Sequence, residues 1–346
     1  MKRVVILTTG GTIAMRHDDA AGGAVPALAA AEYQAAVASL PVSLSVDAVC
    51  NLPSAHFTLD TLWEIQRRVA QHLKSPDVDG IVVTHGTDVL EETAMLLDLT
   101  VDSSKPIVLT GAMRTASDAG FDGFANLAGA VRVAASESAH GLGTLVLLND
   151  TVHAARYVTK SNTQSTDTFQ SPGWGPLGRV DSEGLQVVWR LSRRAFLTPM
   201  LESRVELIKL TVGMQPDLLC NTLGRGTRGV VLEALGGGRV PPWWLPHIRS
   251  AVAEGVTIVV ASRCPGGRVG DRYGYAGAQR DLRSAGCFPA GCLNGQKSRI
   301  ALMVVLGAGL KESALWSAWQ RIAEPGEHEP AALVEDTSPG VSCPCS

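Results

Sequence analysis

The stretch RVVILTTGGT, Arg3–Thr12, decides the fold expected for this chain. Its residues Val4–Leu7 are all apolar, with no polar residue in alternation. A strand that is apolar on both faces is typical of a parallel sheet covered by helices on both sides. The run ends in Gly10-Gly11, a pair that can turn sharply and lets a ligand approach the backbone closely. Thr12 is therefore expected beyond the carboxyl end of a buried strand, where α/β folds bind ligands.

Apolar runs of the same kind alternate with helical patterns further along the chain. The predicted strands, starting with Arg3–Thr8, continue with Gly80–Thr84, Pro106–Thr110 and Thr144–Leu148, and the predicted helices are Thr61–Lys74, Asp88–Leu99 and Asn126–Ala135. Thr61 with Glu64, and Asp88 with Glu91, fit capping boxes at two helix starts. This alternation predicts an α/β fold in which residues 1–185 form a doubly wound, mostly parallel sheet domain.

A smaller C-terminal α/β domain is predicted for residues 213–330, after a connecting segment at 186–212. Its predicted strands are Gly229–Leu232 and Thr257–Ala261, and its predicted helices are Trp244–Ala253 and Ser298–Leu306. Met15–Ala30 is rich in Gly, Ala and Asp and is expected to be a mobile loop. Residues 331–346 show no periodicity and are expected to form a flexible tail.

Composition narrows the possible partners. Charged residues make up 18% of the chain and the formal net charge is −3, without a long Lys/Arg run to neutralise phosphates, so nucleic acid is not an expected partner. No apolar stretch approaches the roughly eighteen residues of a membrane helix, so no membrane association is expected. The apolar run Val4–Leu7 is shorter than the core of a secretory signal, which predicts a cytoplasmic protein.

The cysteines do not form a recognisable metal or disulfide framework. There are seven, at Cys50, Cys220, Cys264, Cys287, Cys292, Cys343 and Cys345. An odd, scattered set in a large chain is typical of reduced thiols. A zinc site built from Cys287, Cys292 and the two tail cysteines lacks the C-x-x-C spacing and a histidine pair, so no metal is expected.

Three segments carry side chains suited to catalysis. Thr12 offers a hydroxyl nucleophile, which needs a proton acceptor and nearby N–H groups for an oxyanion. Thr87 and Asp88 follow a predicted strand and begin a predicted helix, where N–H groups favour negative charge. Lys160 could lower the pKa of the Thr87 hydroxyl or accept a proton from it. The alternatives are that Thr87 and Asp88 only cap the helix and that Lys160 is a surface lysine.

Two of these segments resemble a known family. LTTGGTIA (Leu7–Ala14) and THGTDVLEETA (Thr84–Ala94) resemble the two signature motifs of the bacterial-type L-asparaginases, including glutaminase-asparaginases. Further segments resemble the family in its order, namely LTGAMR (Leu109–Arg114), HAARYVTK (His153–Lys160), SPGWGPLG (Ser171–Gly178) and LNGQKSRI (Leu293–Ile300). The likeness covers most of residues 1–310.

The resemblance implies hydrolysis of L-asparagine to L-aspartate and ammonia, without a metal or organic cofactor. It implies Thr12 as the nucleophile that forms an acyl-enzyme, with Thr87, Asp88 and Lys160 as the second catalytic group. The substrate-binding positions it implies are Gly11, Ser54, Ala55, Thr87, Asp88 and Ala112. Within this set Ser54 would hold the α-carboxylate, Asp88 the α-amino group, and the Ala112 backbone would face the scissile amide. The family also implies a homo-oligomer, either a dimer or a tetramer.

Three positions depart from the family pattern. Gly22–Val25 stands where the family usually carries a loop tyrosine, and the first tyrosine here is Tyr33, expected in a helix. Ala55 stands where a Gln or Glu often helps to bind the α-amino group, and Arg239 where an asparagine often reaches the partner's site. These departures leave glutamine, D-asparagine or another small amide open as substrates.

Other classes of function are less well supported. A non-catalytic amino-acid-binding homologue would not need Thr12, Thr87 and Lys160 together. The amidase subunit of a tRNA-dependent amidotransferase carries an additional domain before the signature segments, whereas TTGGTIA here starts at residue 8. A nucleotide-binding enzyme would need a phosphate loop, and neither G-x-G-x-x-G nor G-x-x-x-x-G-K-[ST] occurs at the strand ends. His85 is expected to be a buried structural histidine and His56 a loop histidine.

Overall fold

The computed structural model describes residues 1–20, 22–26, 30–192, 195–270, 272–324 and 328–330. Its strands there are β1 (Lys2–Thr8), β2 (Met15–Asp18), β3 (Gly23–Pro26), β4 (Val42–Ala48), β5 (Gly80–Thr84), β6 (Ile107–Thr110), β7 (Thr144–Leu148), β8 (Thr151–Ala154), β9 (Thr159–Lys160), β10 (Phe169–Gln170), β11 (Gly178–Val180), β12 (Leu185–Val187), β13 (Trp189–Leu191), β14 (Val205–Lys209), β15 (Gly229–Ala234), β16 (Thr257–Ser262), β17 (Phe288–Pro289) and β18 (His328–Pro330). Its α-helices are α1 (Ala30–Ala36), α2 (Leu59–Leu73), α3 (Leu90–Thr100), α4 (Gly123–Ala135), α5 (Asp217–Leu223), α6 (Leu245–Ala253), α7 (Gln279–Ser284), α8 (Gly295–Gly307) and α9 (Glu312–Ala323).

The larger sheet has the order β12-β11-β8-β7-β6-β5-β1-β4. Strands β4, β1, β5, β6 and β7 are parallel, and β8, β11 and β12 extend the sheet in antiparallel fashion. The register aligns Thr8 with Thr84, and Thr84 with Thr110. The chain therefore leaves β1, β5 and β6 at the same level, which brings the three segments that follow these strands to one carboxyl edge.

Both faces of this sheet are covered, as the apolar run in β1 predicts. Val4 and Ile6 pack in a core with residues of α4, whereas Val5 and Leu7 pack on the opposite face with residues of α2 and α3. Successive side chains of a strand point to opposite faces, so four consecutive apolar residues serve both cores. The predicted fold class, a doubly wound mostly parallel sheet with a smaller α/β domain, is confirmed.

Four predicted helix starts are wrong by two or three residues, because α4 begins at Gly123 instead of Asn126 and α8 at Gly295 instead of Ser298, and the starts of α2 and α3 also differ. Helix α2 begins at Leu59, and its capping box joins Thr58 with Thr61 instead of Thr61 with Glu64. Helix α3 begins at Leu90, its N-cap Val89 makes no side-chain hydrogen bond, and the capping box predicted from Asp88 and Glu91 does not form. Both carboxylates are bound elsewhere: Asp88 contacts Lys160 and Glu91 is buried against Thr159, so neither is available to cap.

The smaller sheet is parallel and has the order β14-β15-β16-β17. Its first strand, Val205–Lys209, lies within the segment 186–212 that was expected to be a connection, because a five-residue strand with two polar positions does not stand out in an Arg-rich stretch. Helix α8 lies over this sheet and also packs against α3 of the first domain. Leu96 and Leu99 of α3 share one core with Leu302 and Val305 of α8. The two domains therefore meet along an apolar helix pair.

Met15–Ala30 is more regular than the mobile loop expected there. Met15–Asp18 and Gly23–Pro26 pair as an antiparallel hairpin, whereas residues 21 and 27–29 lie outside the described part of the chain. The expected tail, 331–346, also lies outside it, together with Cys343 and Cys345. In the described residues the five cysteines are free, no group of three or more His, Cys, Asp or Glu side chains could hold a metal, and no helix has the length and apolarity to cross a membrane.

Candidate active site

The Gly10-Gly11 turn brings two further segments against the end of β1. Both glycines have positive φ values, 96° for Gly10 and 82° for Gly11. A Cβ on Gly10 would lie 2.5 Å from the backbone nitrogen of Leu52, and one on Gly11 would lie 2.3 Å from Cα of Gly86. Only glycine fits this backbone shape and these close approaches. Gly11 and Gly86 immediately precede Thr12 and Thr87, so this contact holds the two threonine segments side by side.

Thr12 begins a single 3-10 turn, Thr12–Ala14, directly after Gly11. Its neighbours Ile13 and Ala14 are buried in the core, whereas Thr12 itself is half-buried. The apolar residues anchor the turn, so the Thr12 hydroxyl is held on a rigid support at the carboxyl edge of the sheet. This is the position in which the fold exposes ligand-binding groups.

Lys160 joins Thr87 to Asp88. Its ammonium group donates to Thr87 Oγ1 at 2.8 Å and to Asp88 Oδ1 at 2.7 Å. The side chain of Lys160 is 17% exposed and that of Asp88 is 61% exposed, while Thr87 is buried. The Asp88 carboxylate therefore faces solvent although it is paired with Lys160, whereas the Thr87 hydroxyl and the Lys160 ammonium are more deeply buried. Thr87 and Lys160 are 73 residues apart in the sequence, so it is the fold that brings them together.

Ser54 and Ala112 lie on the segments that adjoin this cluster. Ser54 is buried, and its Oγ accepts a hydrogen bond of 3.2 Å from the backbone N–H of Asp88. A Cβ on Gly86 would lie 2.6 Å from the same oxygen, so Ser54 sits directly on the turn before Thr87. Ala112 is fully buried after β6, and Ala55 is exposed beside Ser54. The structure thus brings Gly11, Ser54, Thr87, Asp88 and Lys160 into one neighbourhood.

Sequence reasoning missed a second layer of polar residues behind Lys160. Glu91, read as a helix cap, is buried and accepts hydrogen bonds from the Thr159 hydroxyl and the Lys160 backbone N–H. Asn294 donates to the same carboxylate from the second domain. Lys297 lies 3.8 Å from it. The sequence signal for these residues was LNGQKSRI, a polar segment before an apolar helix. This segment alone does not indicate which residues its polar side chains contact.

His85 is a structural residue of the strand end, as the sequence reasoning favoured. The ring is fully buried: Nδ1 donates to the Gly86 carbonyl at 2.6 Å, and Nε2 accepts from the Thr93 hydroxyl at 2.9 Å. Burial lowers the pKa of His85 to about 4, so the imidazole is neutral and both nitrogens are occupied. The second buried histidine, His153, has its pKa lowered to about 4 by burial and by the charge of Lys297.

These two histidines should make the fold sensitive to mild acid. Each pKa lies near 4 in the folded chain and near 6.5 when unfolded, so the unfolded chain binds more protons between these values. The contribution of these histidines to the free energy of unfolding should therefore be fully present above pH 6.5 and should be lost as the pH falls toward 4. The slope contributed by each histidine approaches about 1.4 kcal/mol per pH unit. Urea unfolding measured at half-unit steps from pH 7.5 to 4.5 tests this.

The matched variant for this measurement is His153→Gln, which keeps a polar side chain but does not titrate. The variant should lose the His153 contribution, which is about half of the slope that the two histidines supply. The difference between the two curves removes contributions from carboxyl groups such as Glu92, whose pKa is raised by burial. Parallel curves for the two proteins would contradict the assignment to His153.

The three departures from the family pattern have definite places. Tyr33 lies in α1 with its ring buried in the core, so it does not replace a loop tyrosine. Gly22–Val25 falls at the tip and second strand of the hairpin. Arg239 lies on the second domain, with its guanidinium 4.9 Å from the centre of the Tyr273 ring and 3.3 Å from the Tyr275 hydroxyl.

Two family models match most of the chain. Residues 3–193 match the family model for the N-terminal domain of asparaginase, and residues 204–317 match that for the glutaminase/asparaginase C-terminal domain. An L-asparaginase from Bacillus licheniformis is 34% identical over 319 residues, which are 90% of this chain and 98% of the relative. A glutaminase-asparaginase from Pseudomonas fluorescens biotype A is 34% identical over 320 residues, which are 88% and 86% of the two chains.

A solved structure shows the same fold. The crystal structure of a probable cytoplasmic L-asparaginase from Campylobacter jejuni has a TM-score of 0.82 and 28% identity, and covers 94% of this chain and 100% of that one. The family models and the L-asparaginase relatives together identify the chain as an amidohydrolase. The chain belongs to the bacterial-type L-asparaginase family.

Proposed function

We propose that the protein hydrolyses L-asparagine to L-aspartate and ammonia through an acyl-enzyme on Thr12. The observation that carries this proposal is the contact of one lysine ammonium with both Thr87 and Asp88, on the segment that packs against the Gly11 turn. A binding protein would need the exposed carboxylate of Asp88 alone. A buried hydroxyl held by an ammonium group beneath it is the arrangement expected where a proton must be moved.

The reaction divides into two similar halves. The Thr12 oxygen attacks the side-chain amide carbon, and its proton passes to a basic group of the site. Collapse of the tetrahedral intermediate breaks the C–N bond and releases ammonia once the nitrogen has received a proton. Water then attacks the ester and frees aspartate and Thr12. The Thr87 hydroxyl and the Lys160 amine are the groups proposed to relay protons, since they are hydrogen-bonded and lie beside the Thr12 segment.

The substrate is held at both ends of its α-amino-acid portion. The exposed Asp88 carboxylate is proposed to bind the α-ammonium group. Ser54, which already contacts the Asp88 N–H, is proposed to hold the α-carboxylate. The Gly11 and Ala112 backbones are proposed to line the amide end, where their positions after β1 and β6 permit close approach. The proposed mechanism uses no metal or organic cofactor.

The direct test is ammonia release from L-asparagine, L-glutamine and D-asparagine by the purified protein. We expect the largest kcat/KM with L-asparagine. Faster ammonia release from glutamine or D-asparagine would support the proposed amide hydrolysis but would assign a different substrate. No release from any of the three, by a protein shown to be folded by circular dichroism, would overturn the proposed activity and favour a binding role.

Ala55 is the position at which substrate preference should be most adjustable. Ala55→Gln restores a side chain that can hydrogen-bond the α-amino group, and an added bond to a charged group should lower the KM for L-asparagine about tenfold. Steady-state kinetics with asparagine and glutamine would measure the change. Ala55→Leu, of similar length but without a polar atom, should not lower the KM. An equal effect of both variants would show that hydrogen bonding is not the cause.

Assembly and location complete the proposal. We propose a cytoplasmic homo-oligomer, a dimer or a tetramer, that acts in asparagine catabolism on a small-molecule amide. Arg239 and the tyrosines around it form an exposed group on the second domain that such a partner could cover. Light scattering of the purified chain measures the oligomeric state, and fractionation of the source cells measures its location.

A further inference from the structure

The buried carboxylate of Glu91 lies directly behind the proposed proton relay. Its side chain is 6% exposed, on the first turn of α3. One oxygen, Oε1, accepts the Thr159 hydroxyl at 2.9 Å and the Lys160 backbone N–H at 3.2 Å. The other, Oε2, accepts Asn294 Nδ2 at 3.0 Å. A buried carboxylate is stable only when its oxygens are satisfied in this way.

Lys297 holds the other half of the same segment. Its side chain is 2% exposed, and its ammonium group donates to the carbonyl of Arg156 at 3.2 Å and to that of Val158 and lies 3.8 Å from Glu91 Oε2. Burial lowers the pKa of Lys297 to about 8, while the charge of Glu91 opposes that fall. Residues 156–160 are thus held through alternate backbone groups by two buried side chains of opposite charge.

These contacts connect the second domain to the proposed relay. Asn294 and Lys297 belong to the start of α8, which packs against α3, whereas Lys160 reaches from the 156–160 segment to Thr87 and Asp88. We infer that Glu91, Asn294 and Lys297 form an interdomain clamp that positions Lys160 for catalysis. This inference rests on the proposed function for its kinetic consequences. The clamp residues are positioning residues, because they act through Lys160 and not on the substrate.

Three substitutions test the clamp. Glu91→Gln keeps the shape but replaces one acceptor oxygen by a donor. Asn294→Ser removes the bond to Glu91 while a serine still caps α8, so the helix start is retained. Lys297→Met removes the ammonium from the carbonyls of residues 156 and 158. Each should lower kcat about tenfold to a hundredfold with KM for asparagine changed less than about threefold, since a displacement of about 1 Å is enough for such losses.

The pH profile of kcat distinguishes a displacement of Lys160 from a change in the local charge alone. Glu91→Gln removes a negative charge near Lys160 and Lys297→Met removes a positive one, so a purely electrostatic effect would move the pH profile of kcat in opposite directions. A loss of position lowers kcat in both. The matched control is Glu92→Gln, which alters the next carboxylate on the same turn; in the described residues Glu92 makes no hydrogen bond to the 156–160 segment, and its variant should keep kcat within about twofold.

A second readout does not depend on turnover. Each folded variant is treated with a limiting amount of acetic anhydride, and acetylation of single lysines is measured by mass spectrometry. Release of the clamp should increase the acetylation of Lys160 severalfold and leave that of the exposed Lys74, at the end of α2, unchanged. Because breaking a buried ion pair can unfold a protein, Asn294→Ser and the double variant Glu91→Gln/Lys297→Met, which removes both charges, are measured beside the single variants.

The outcomes separate this inference from the proposed activity. Reduced kcat together with faster Lys160 acetylation supports the clamp. Unchanged acetylation in folded Asn294→Ser and Glu91→Gln overturns it, whether kcat falls or not. If the wild type hydrolyses no amide, the proposed function fails while the acetylation result still decides whether the clamp positions Lys160.

Discussion

Thr12→Ala is expected to remove amide hydrolysis, with kcat/KM falling by at least about 10⁴-fold. The substitution takes away the hydroxyl oxygen that is proposed to form the acyl-enzyme. The fold should persist, because Thr12 is half-buried and the turn is anchored by the buried Ile13 and Ala14. The free energy of unfolding should change by less than about 1 kcal/mol. Ammonia release and urea unfolding measure the two quantities separately.

The matched variant is Thr12→Ser, which keeps a hydroxyl and should retain measurable turnover. Hydroxylamine provides a test of the intermediate itself. An aspartyl ester on Thr12 would partition between water and hydroxylamine, so the wild type should form aspartyl hydroxamate from asparagine, whereas Thr12→Ala should form none. If folded Thr12→Ala kept even a tenth of the wild-type rate, the nucleophile would have to be another group.

The sequence predicted the structure correctly where the residues of one short segment are sufficient to indicate its conformation and burial. The apolar run Val4–Leu7 serves both faces of the sheet, so it predicts a parallel strand without knowledge of its neighbours. Gly10-Gly11 predicts a close approach, and the structure identifies the approaching groups as Leu52 and Gly86. Parallel strands then bring their following segments to one edge, which is why Thr12 and Thr87 could be expected together. Their catalytic roles remain predictions.

The sequence was less informative where the partner of a side chain lies far away. Glu91 fits a capping box with Asp88 on local spacing, yet it is buried against Asn294, 203 residues further along the chain. The same local pattern serves a cap or an interdomain contact, and only the packing of α3 on α8 decides between them. The start of α3 was misplaced for this reason. The six strands predicted from continuous apolar runs agree with the structure to within one or two positions at each end, whereas β4, in which polar and apolar residues alternate, was not predicted.

Lys160→Met is the second substitution expected to have a large effect, with kcat lowered about 10² to 10⁴-fold. Methionine keeps an unbranched side chain in a site where Lys160 is 17% exposed, so packing is largely retained. The variant loses the ammonium that donates to Thr87 at 2.8 Å and to Asp88 at 2.7 Å. Thr87 then loses the amine that is proposed to exchange a proton with it, and Asp88 loses its ion pair with Lys160. Steady-state kinetics and a thermal unfolding control measure the loss.

Lys160→Arg distinguishes the two roles that an amine can have at this position. Arginine keeps a positive charge but does not give up its proton in a protein, whereas lysine can do so. If Lys160 only supplies charge to Thr87 and Asp88, the arginine variant should recover much of the activity that methionine loses. If it accepts a proton in the reaction, arginine should be nearly as slow as methionine while KM stays closer to the wild type, because the charge still holds Asp88. We expect the second result, because Lys160 also donates to the buried Thr87 hydroxyl. A lysine that served only to hold the Asp88 carboxylate would not need this contact. Recovery of full activity by arginine would assign the proton transfer to another group.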